Sequence, residues 1–420
     1  MDFSRLNWGD TRTLRGFREY APLVPAGLFL CLLPINHTMA LRMLCLFLMA
    51  GGALYGYFKA GAPALSIKFP LALWVGVALL SLVWSFDPVF SLNEIKTEIG
   101  YGLLAFLAFY VLTRSGQVWR LWLYCLAVGL LVTVALALWA NVGHWGNFTS
   151  YDWDWLHGFV AYSTYLALIA PFLLALWLTT PLRAFPRNVA WLLAPLFLLA
   201  GYATLNRMFW LSLGAILLVY AVLWRRDGKS RRAGLIAAGA AFALVALLFV
   251  AVAAQRPVDP LKAPSANVGA ASHILGTFEN SERFRIWQFW LERVAERPWT
   301  GVGFGRDLPH YVHADLKPKE WAVLMFAHAH NLFFNYVLQL GVGGLAALLL
   351  LLGALLREFW HIRRAPAPDA AIVGLCGIAL VVTLVSKNMT DDLFWRSDSL
   401  LFWALAGCAL GYGKRLEQAQ

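Results

Sequence analysis

The chain has 420 residues, of which 60% are hydrophobic and 14% charged, with 20 Trp, a mean hydropathy of +0.64 and a formal net charge of +11. A soluble domain of this length cannot bury that much apolar surface, so a soluble globular protein is excluded and an integral membrane protein is implied. The five cysteines (Cys31, Cys45, Cys125, Cys376, Cys408) each sit inside an apolar run, without the spacing of a zinc site or a disulfide framework, and read as small core residues.

The opening MDFSRLNWGDTRTLRGFREY is long, polar and partly acidic, and no small-residue cleavage site follows it, so the first apolar segment is expected to remain as a span. On a ruler of about 20 apolar residues per helix, spans are predicted near 21–37, 40–58, 70–86, 98–113, 118–141, 157–179, 188–205, 208–224, 233–254, 331–356, 369–386 and 399–413. The first hairpin is the weakest of these, because CLLPINHTMALR is short and interrupted. The resulting fold class is an all-α polytopic membrane protein of about 12 transmembrane helices. It divides into nine helices over 1–254, one large connection over 255–329, and three helices over 330–420.

Lys and Arg set the orientation. Arg5, Arg12, Arg15 and Arg18, then Lys59, Lys68, Arg114, Arg120, Arg183, Arg187, RRDGKSRR, REFWHIRR, Lys414 and Arg415 fall on alternate connections, which therefore face the cytoplasm together with both termini. The opposite short connections hold Arg42, Lys96, Arg207, Lys387 and Arg396. This anchoring accounts for most of the net charge, and no nucleic-acid patch is needed to explain it.

Residues 255–329 form a polar segment on the outer face, rich enough in Trp, Phe and His to be expected to fold onto the mouth of the helix bundle. Within it, NSERFRIWQFWLERVAERP predicts a helix capped by Asn280 or Ser281 and ended by Pro298. At 100° per residue, Phe284, Trp287, Trp290, Leu291 and Val294 share one face with Arg283, while Arg285, Gln288, Glu292 and Glu296 lie opposite. Arg283 on an aromatic face needs either a protein carboxylate or an anionic ligand; snorkelling is the bland alternative. Arg207, in GYATLNRMFWLSLG, sits on the outer side where the charge bias asks for no cation, and reads either as a snorkelling interfacial residue or as an anion clamp. GVGFG (301–305) lacks the Lys-Ser/Thr and the strand-to-helix setting of a phosphate loop and is expected to be a shaping turn.

His328 and His330, in FAHAHNLFFNYVLQLGVGGL, open a long apolar helix. Three readings stay open: a metal site shared with His310, His313 or Asp315, satisfied structural histidines, or a general base. On a helix, residues two apart point about 200° apart and cannot share an ion; on an extended segment they could. A base at position 330 would face the positive end of the following helix dipole, which favours neutral imidazole.

HAHNLFFNYVLQLGVGGL resembles the signature of the O-antigen ligase and polymerase superfamily, in which His-Asn opens a transmembrane helix. NRMFWLSLG is similar to that family's Arg-x-x-Trp segment, and ERFRIWQFWLERVAERPWTGVGFG to its Arg-x-x-x-Trp helix ending in Pro-x-x-Gly-x-Gly. The resemblance covers roughly 200–345 by motif and the whole chain by topology.

It implies a GT-C-type glycosyltransferase in the bacterial inner membrane, with a large, partly helical periplasmic loop and a periplasmic active site. The donor would be O-antigen linked to undecaprenyl pyrophosphate, the acceptor the lipid A core, and neither cofactor nor metal is implied. His330 would be the base, with Arg207 and Arg283 holding the pyrophosphate. Arg285, Asn331, His328, Lys387, Asp391 and Asp392 are supporting candidates, Asp391 or Asp392 orienting His330, binding acceptor or itself serving as base. A single displacement predicts inversion. An O-antigen polymerase or a protein O-oligosaccharyltransferase would share this chemistry with another acceptor. A transporter or flippase is the other class, against which stand the lack of an internal repeat and of intramembrane charge runs.

Overall fold

The computed structural model describes residues 21–140, 154–179, 187–204, 206–224, 239, 243, 282–316, 328–367, 369–392 and 394–418. Among these every regular element is helical: α1 (Leu23–Leu32), α2 (Met39–Ala60), α3 (Lys68–Leu80), α4 (Pro88–Glu94), a π-turn (Ile95–Gly100), α5 (Tyr101–Leu112), α6 (Gly116–Ala140), α7 (Phe159–Thr179), α8 (Arg187–Ala203), α9 (Arg207–Leu223), α10 (Glu282–Glu296), α11 (Leu308–Val312), α12 (Leu332–Arg364), α13 (Ala370–Lys387) and α14 (Arg396–Gln418). Among the described residues, six stretches are long and apolar enough to cross a membrane: α2, α4 to α5, α6, α7, α12 and α13; α1, α3, α8 and α9 are shorter apolar helices. The chain is thus an all-α, multi-pass membrane protein. The expected span at 233–254 lies outside the described residues, apart from two isolated positions, as do 255–281 and 317–327 of the large connection.

Three expectations are revised in detail. The span near 21–37 contains a helix of only 10 residues, about 15 Å of rise. The segment near 98–113 starts at Pro88, where Asp87 caps the helix by accepting from the Phe90 N–H at 2.9 Å, and it passes through the π-turn without a break. The helix near 331–356 runs to Arg364 but is interrupted at Gly341, whose φ of 67° and ψ of −173° are not helical.

That interruption organises the outer part of the bundle. It frees the carbonyls of Leu338 and Gln339, which accept from the amides of Val302 (3.0 Å) and Gly303 (2.9 Å), while the Val342 N–H donates to the Pro298 carbonyl at 2.8 Å. The Gln339 side-chain carbonyl takes the Gly305 N–H at 2.9 Å. A helix broken inside an apolar protein needs such replacements, and the glycine-rich turn supplies them. A Cβ on Gly301 would sit 2.4 Å from the Gln339 carbonyl, and one on Gly341 2.2 Å from that of Trp299, so both glycines are required for the approach.

The helices form one packed core. α12 lies against α3 and α13, α13 against α7, α9 and α14, and α14 against α5, which in turn packs on α2. At one end of the bundle Arg415 joins α14 to α5 through the Val111 carbonyl, Arg363 joins α12 to α9 through that of Leu223, Tyr412 of α14 donates to Asp369 at the start of α13, and Tyr110 of α5 donates to the Pro63 carbonyl. The connections around 84–98, 154–158, 298–313, 328–331 and 388–396 meet at the other end.

Candidate functional site

The His-Ala-His strap lies ahead of α12, held from three directions. Ala329 is fully buried with Leu338 under Ile286, Phe289 and Trp290 of α10, and the Trp287 indole N–H donates to the Ala329 carbonyl at 2.8 Å. Asn331 caps α12, its side-chain oxygen accepting from the Phe334 N–H at 3.0 Å, as Asn does at helix starts. Its amide donates to the Met389 carbonyl at 2.7 Å, and the Leu332 N–H donates to the Asn388 carbonyl at 3.0 Å. These bonds clamp the 388–391 segment to the start of α12. His330 occupies the left-handed backbone region, at φ 49°, a conformation that non-glycine residues adopt at a cost and that clusters at functional sites.

The clamp aligns three ionisable groups. His330 Nδ1 is 3.9 Å from Asp391 Oδ1, and Lys387 Nζ, fully buried, is 3.6 Å from Asp391 Oδ2. Asp391 thus faces the imidazole with one oxygen and a cation with the other. With Nδ1 turned to the carboxylate, Nε2 is the second ring nitrogen through which His330 can exchange a proton. His328, a supporting candidate from the sequence, lies beside His330 and not on the opposite side. Because the strap precedes the helix, the two rings lie with centroids 4.1 Å apart, and His328 Nε2 is 2.8 Å from Arg306 Nη2.

Arg306 is the hub that sequence reasoning missed. Its guanidinium lies over the Trp395 ring at 4.6 Å, where the Arg396 guanidinium also lies at 4.0 Å, and its carbonyl accepts from the Asn335 amide at 3.3 Å. Asn335 also donates to Asp392, so the two adjacent carboxylates part ways: Asp391 faces His330, and Asp392 turns into the protein. Burial pushes the Asp392 carboxyl above its ordinary range, with the Arg306 charge and the Asn335 amide pulling it back. Glu98, on the π-turn, accepts from the Arg396 N–H at 2.7 Å and thereby holds another left-handed residue, at φ 47°. Single-turn π-bulges often mark functional sites; the signal available in the sequence was a carboxylate inside an apolar run, NEIKTEIGYGLL.

Residues 192–349, which span the strap, α10 and α9, match a family model described as O-antigen ligase. Over this segment, less than half of its length, the chain is similar to the O-antigen ligase family. No curated protein matches the chain significantly. The family segment contains Arg207, Arg283, Arg285, Arg306, His328, His330, Asn331 and Asn335, but it ends before Lys387, Asp391 and Asp392.

Within the family segment, Arg207 is exposed in the first turn of α9, after the cap in which Asn206 accepts from the Met208 N–H at 2.9 Å. Five residues on, Ser212 Oγ accepts from Ser386 Oγ at 3.0 Å. Arg207 therefore lies at the Lys387 end of α13, about 7.5 Å of helical rise beyond that contact. In α10, Arg285, Gln288 and Glu292 are exposed as expected, but Leu291 is 60% exposed and does not join the packed face. The face is rotated toward Ile286 and Phe289, because the helix docks along Ala329 and Leu338. The Arg283 side chain lies outside the described atoms; its backbone position, three, four and seven residues before Ile286, Trp287 and Trp290, is that of the docked strip. Among the described residues no group of three or more His, Cys, Asp or Glu side chains is placed to hold a metal ion.

Proposed function

We propose that this protein is an O-antigen ligase of GT-C type, moving a glycan from undecaprenyl pyrophosphate to a hydroxyl of the lipid A core at the periplasmic face of the bacterial inner membrane. What carries the reading is the aligned set His330–Asp391–Lys387 at the mouth of the family segment. His330 Nε2 takes the proton of the acceptor hydroxyl while the acceptor oxygen bonds to the anomeric carbon and the carbon–oxygen bond to pyrophosphate breaks. Asp391 stabilises the imidazolium that forms. The leaving group departs as an anion already, so cations replace a general acid; Arg207 and Arg283 take that role. One displacement inverts the anomeric centre.

The test is complementation of a deletion strain with wild type, His330→Ala, Arg207→Ala or Arg283→Ala, followed by lipopolysaccharide gels. Loss of polymer-bearing lipopolysaccharide, with carrier-linked polymer accumulating, is expected for each variant. A normal ladder from His330→Ala overturns the base assignment. Cores with a single repeat unit would instead mark a polymerase, and altered protein glycans an oligosaccharyltransferase. Orientation is read separately: a membrane-impermeant thiol reagent should label Arg285→Cys in intact spheroplasts and His361→Cys only after lysis.

A further inference from the structure

A chamber of about 710 Å³ lies beside the strap, between the α1–α2 turn, the π-turn, the start of α7 and the start of α14. Its volume is that of a small-ligand site, and Tyr101, Tyr162 and Tyr165 contribute to its wall. Arg42, in α2, lines it and is 6% exposed. The Arg42 guanidinium donates to the Leu33 carbonyl at 3.4 Å and to the Ser397 hydroxyl, both neutral; its Nε is buried with no hydrogen-bond partner, and among the described residues no carboxylate lies in ion-pair range. A buried guanidinium that faces a cavity with only neutral partners is an anion site awaiting its counter-charge.

The rest of the lining fits that reading. Arg306 and Arg396 stand over the single Trp395 ring, and both border the chamber. Their like charges, gathered on one indole, raise the potential for an anion there. Of the carboxylates in the wall, Glu98 holds the Arg396 N–H, Glu94 lies in the field of Arg396 and Arg306, and Asp398 is buried in the field of Lys387 and Arg306; none of the three pairs with Arg42. Arg306 also carries the chamber to the catalytic strap through His328. Arg207, in the first turn of α9 at the Lys387 end of α13, is not among the residues that line the chamber. A donor anion held by Arg207 and an anion held by Arg42 are therefore separate.

We propose that this chamber binds a negatively charged sugar of the acceptor glycan, with Arg42 receiving its carboxylate or phosphate and the tyrosines packing against the ring. The assignment of this anion to the acceptor rests on the ligase reading given above.

The test uses full-length protein in lipid nanodiscs, with two acceptors: lipid A core bearing its native phosphates and carboxylates, and the same core after enzymatic dephosphorylation or after carboxyl reduction. Loss of one charge-assisted contact predicts that Arg42→Gln raises KM for the native acceptor by roughly tenfold to a hundredfold, with kcat and the donor KM within about twofold. The penalty should vanish on whichever treated acceptor lacks the recognised group, which identifies that group as phosphate or carboxylate. Equal penalties on all acceptors, a raised donor KM, or no change would overturn the proposal. Arg42→Lys, which keeps the charge, should recover part of the discrimination, and it supplies the comparison if Arg42→Gln unfolds. Calorimetric titration of released core oligosaccharide into His330→Ala separates this proposal from the ligase reading: binding weakened by adding Arg42→Gln supports the chamber even if transfer to lipid A core is disproved, and unaltered binding refutes it.

Discussion

The Trp287 indole donates to the carbonyl of Ala329, the residue between the two histidines, so a helix of the large connection fixes the geometry of the strap. Trp287→Phe keeps most of the packing and removes only that bond, whose net worth is about 1 kcal/mol. A small drop in thermal stability is expected, together with a severalfold loss of kcat at unchanged donor KM, since His330 loses its anchor and not its substrate contacts. Steady-state kinetics of the reconstituted protein, with unfolding followed by intrinsic fluorescence, give both readouts. An unchanged kcat would mean that the Ile286, Phe289 and Trp290 packing alone holds the strap.

Gly341 and Gly353 lie one helix apart in meaning although both belong to α12. A Cβ at Gly341 meets the Trp299 carbonyl at 2.2 Å in a left-handed conformation, whereas one at Gly353 meets nothing within 4 Å. Gly341→Ala should therefore cost more than about 2 kcal/mol, combining strain with lost docking of the glycine-rich turn. Gly353→Ala should be neutral or slightly stabilising through helix propensity. Thermal unfolding in detergent compares the two, and equal midpoints would contradict the docking role given to the break.

Hydropathy made the helices legible, because a membrane asks every spanning segment for the same apolar length. It could not reveal the break at Gly341, which depends on amides at 302 and 303 arriving from far away in the chain. His330 was legible from its place at a helix start, and Asn331 from its capping chemistry. Arg306 and Glu98 were not, since their meaning comes from Trp395 and Arg396, brought together by packing of α14 on α5. The α10 face was rotated for the same reason: periodicity gives an apolar stripe, and the partner, Ala329 and Leu338, decides which edge of it is buried.

Asp392 is 3% exposed, and its carboxyl is held above the ordinary range chiefly by burial. A raised folded-state value means that its contribution to stability is fully present below the unfolded value, near 3.9, and is lost as pH rises through the folded one. Asn at this position stays neutral. The midpoint of wild type relative to Asp392→Asn should therefore fall as pH rises above about 4. Parallel thermal melts across that range measure the difference, and a wild type that gains on the variant with rising pH would show that Arg306 and Asn335 outweigh desolvation.

Asp391 and His330 should act as one unit, because the carboxylate touches the reaction only through the ring it faces at 3.9 Å. Asp391→Asn keeps the shape but removes the charge that stabilises imidazolium, so kcat should drop about tenfold to a hundredfold while both KM values hold. Asp391→Glu should restore part of the rate, since it returns a carboxylate to the neighbourhood of Nδ1 and Lys387. The decisive measurement is the double variant: if Asp391 works through His330, His330→Ala with Asp391→Asn will be no slower than His330→Ala alone. A further loss in the double variant would instead give Asp391 a contact of its own with the reacting hydroxyl, and a full-rate Asp391→Asn would remove it from the mechanism.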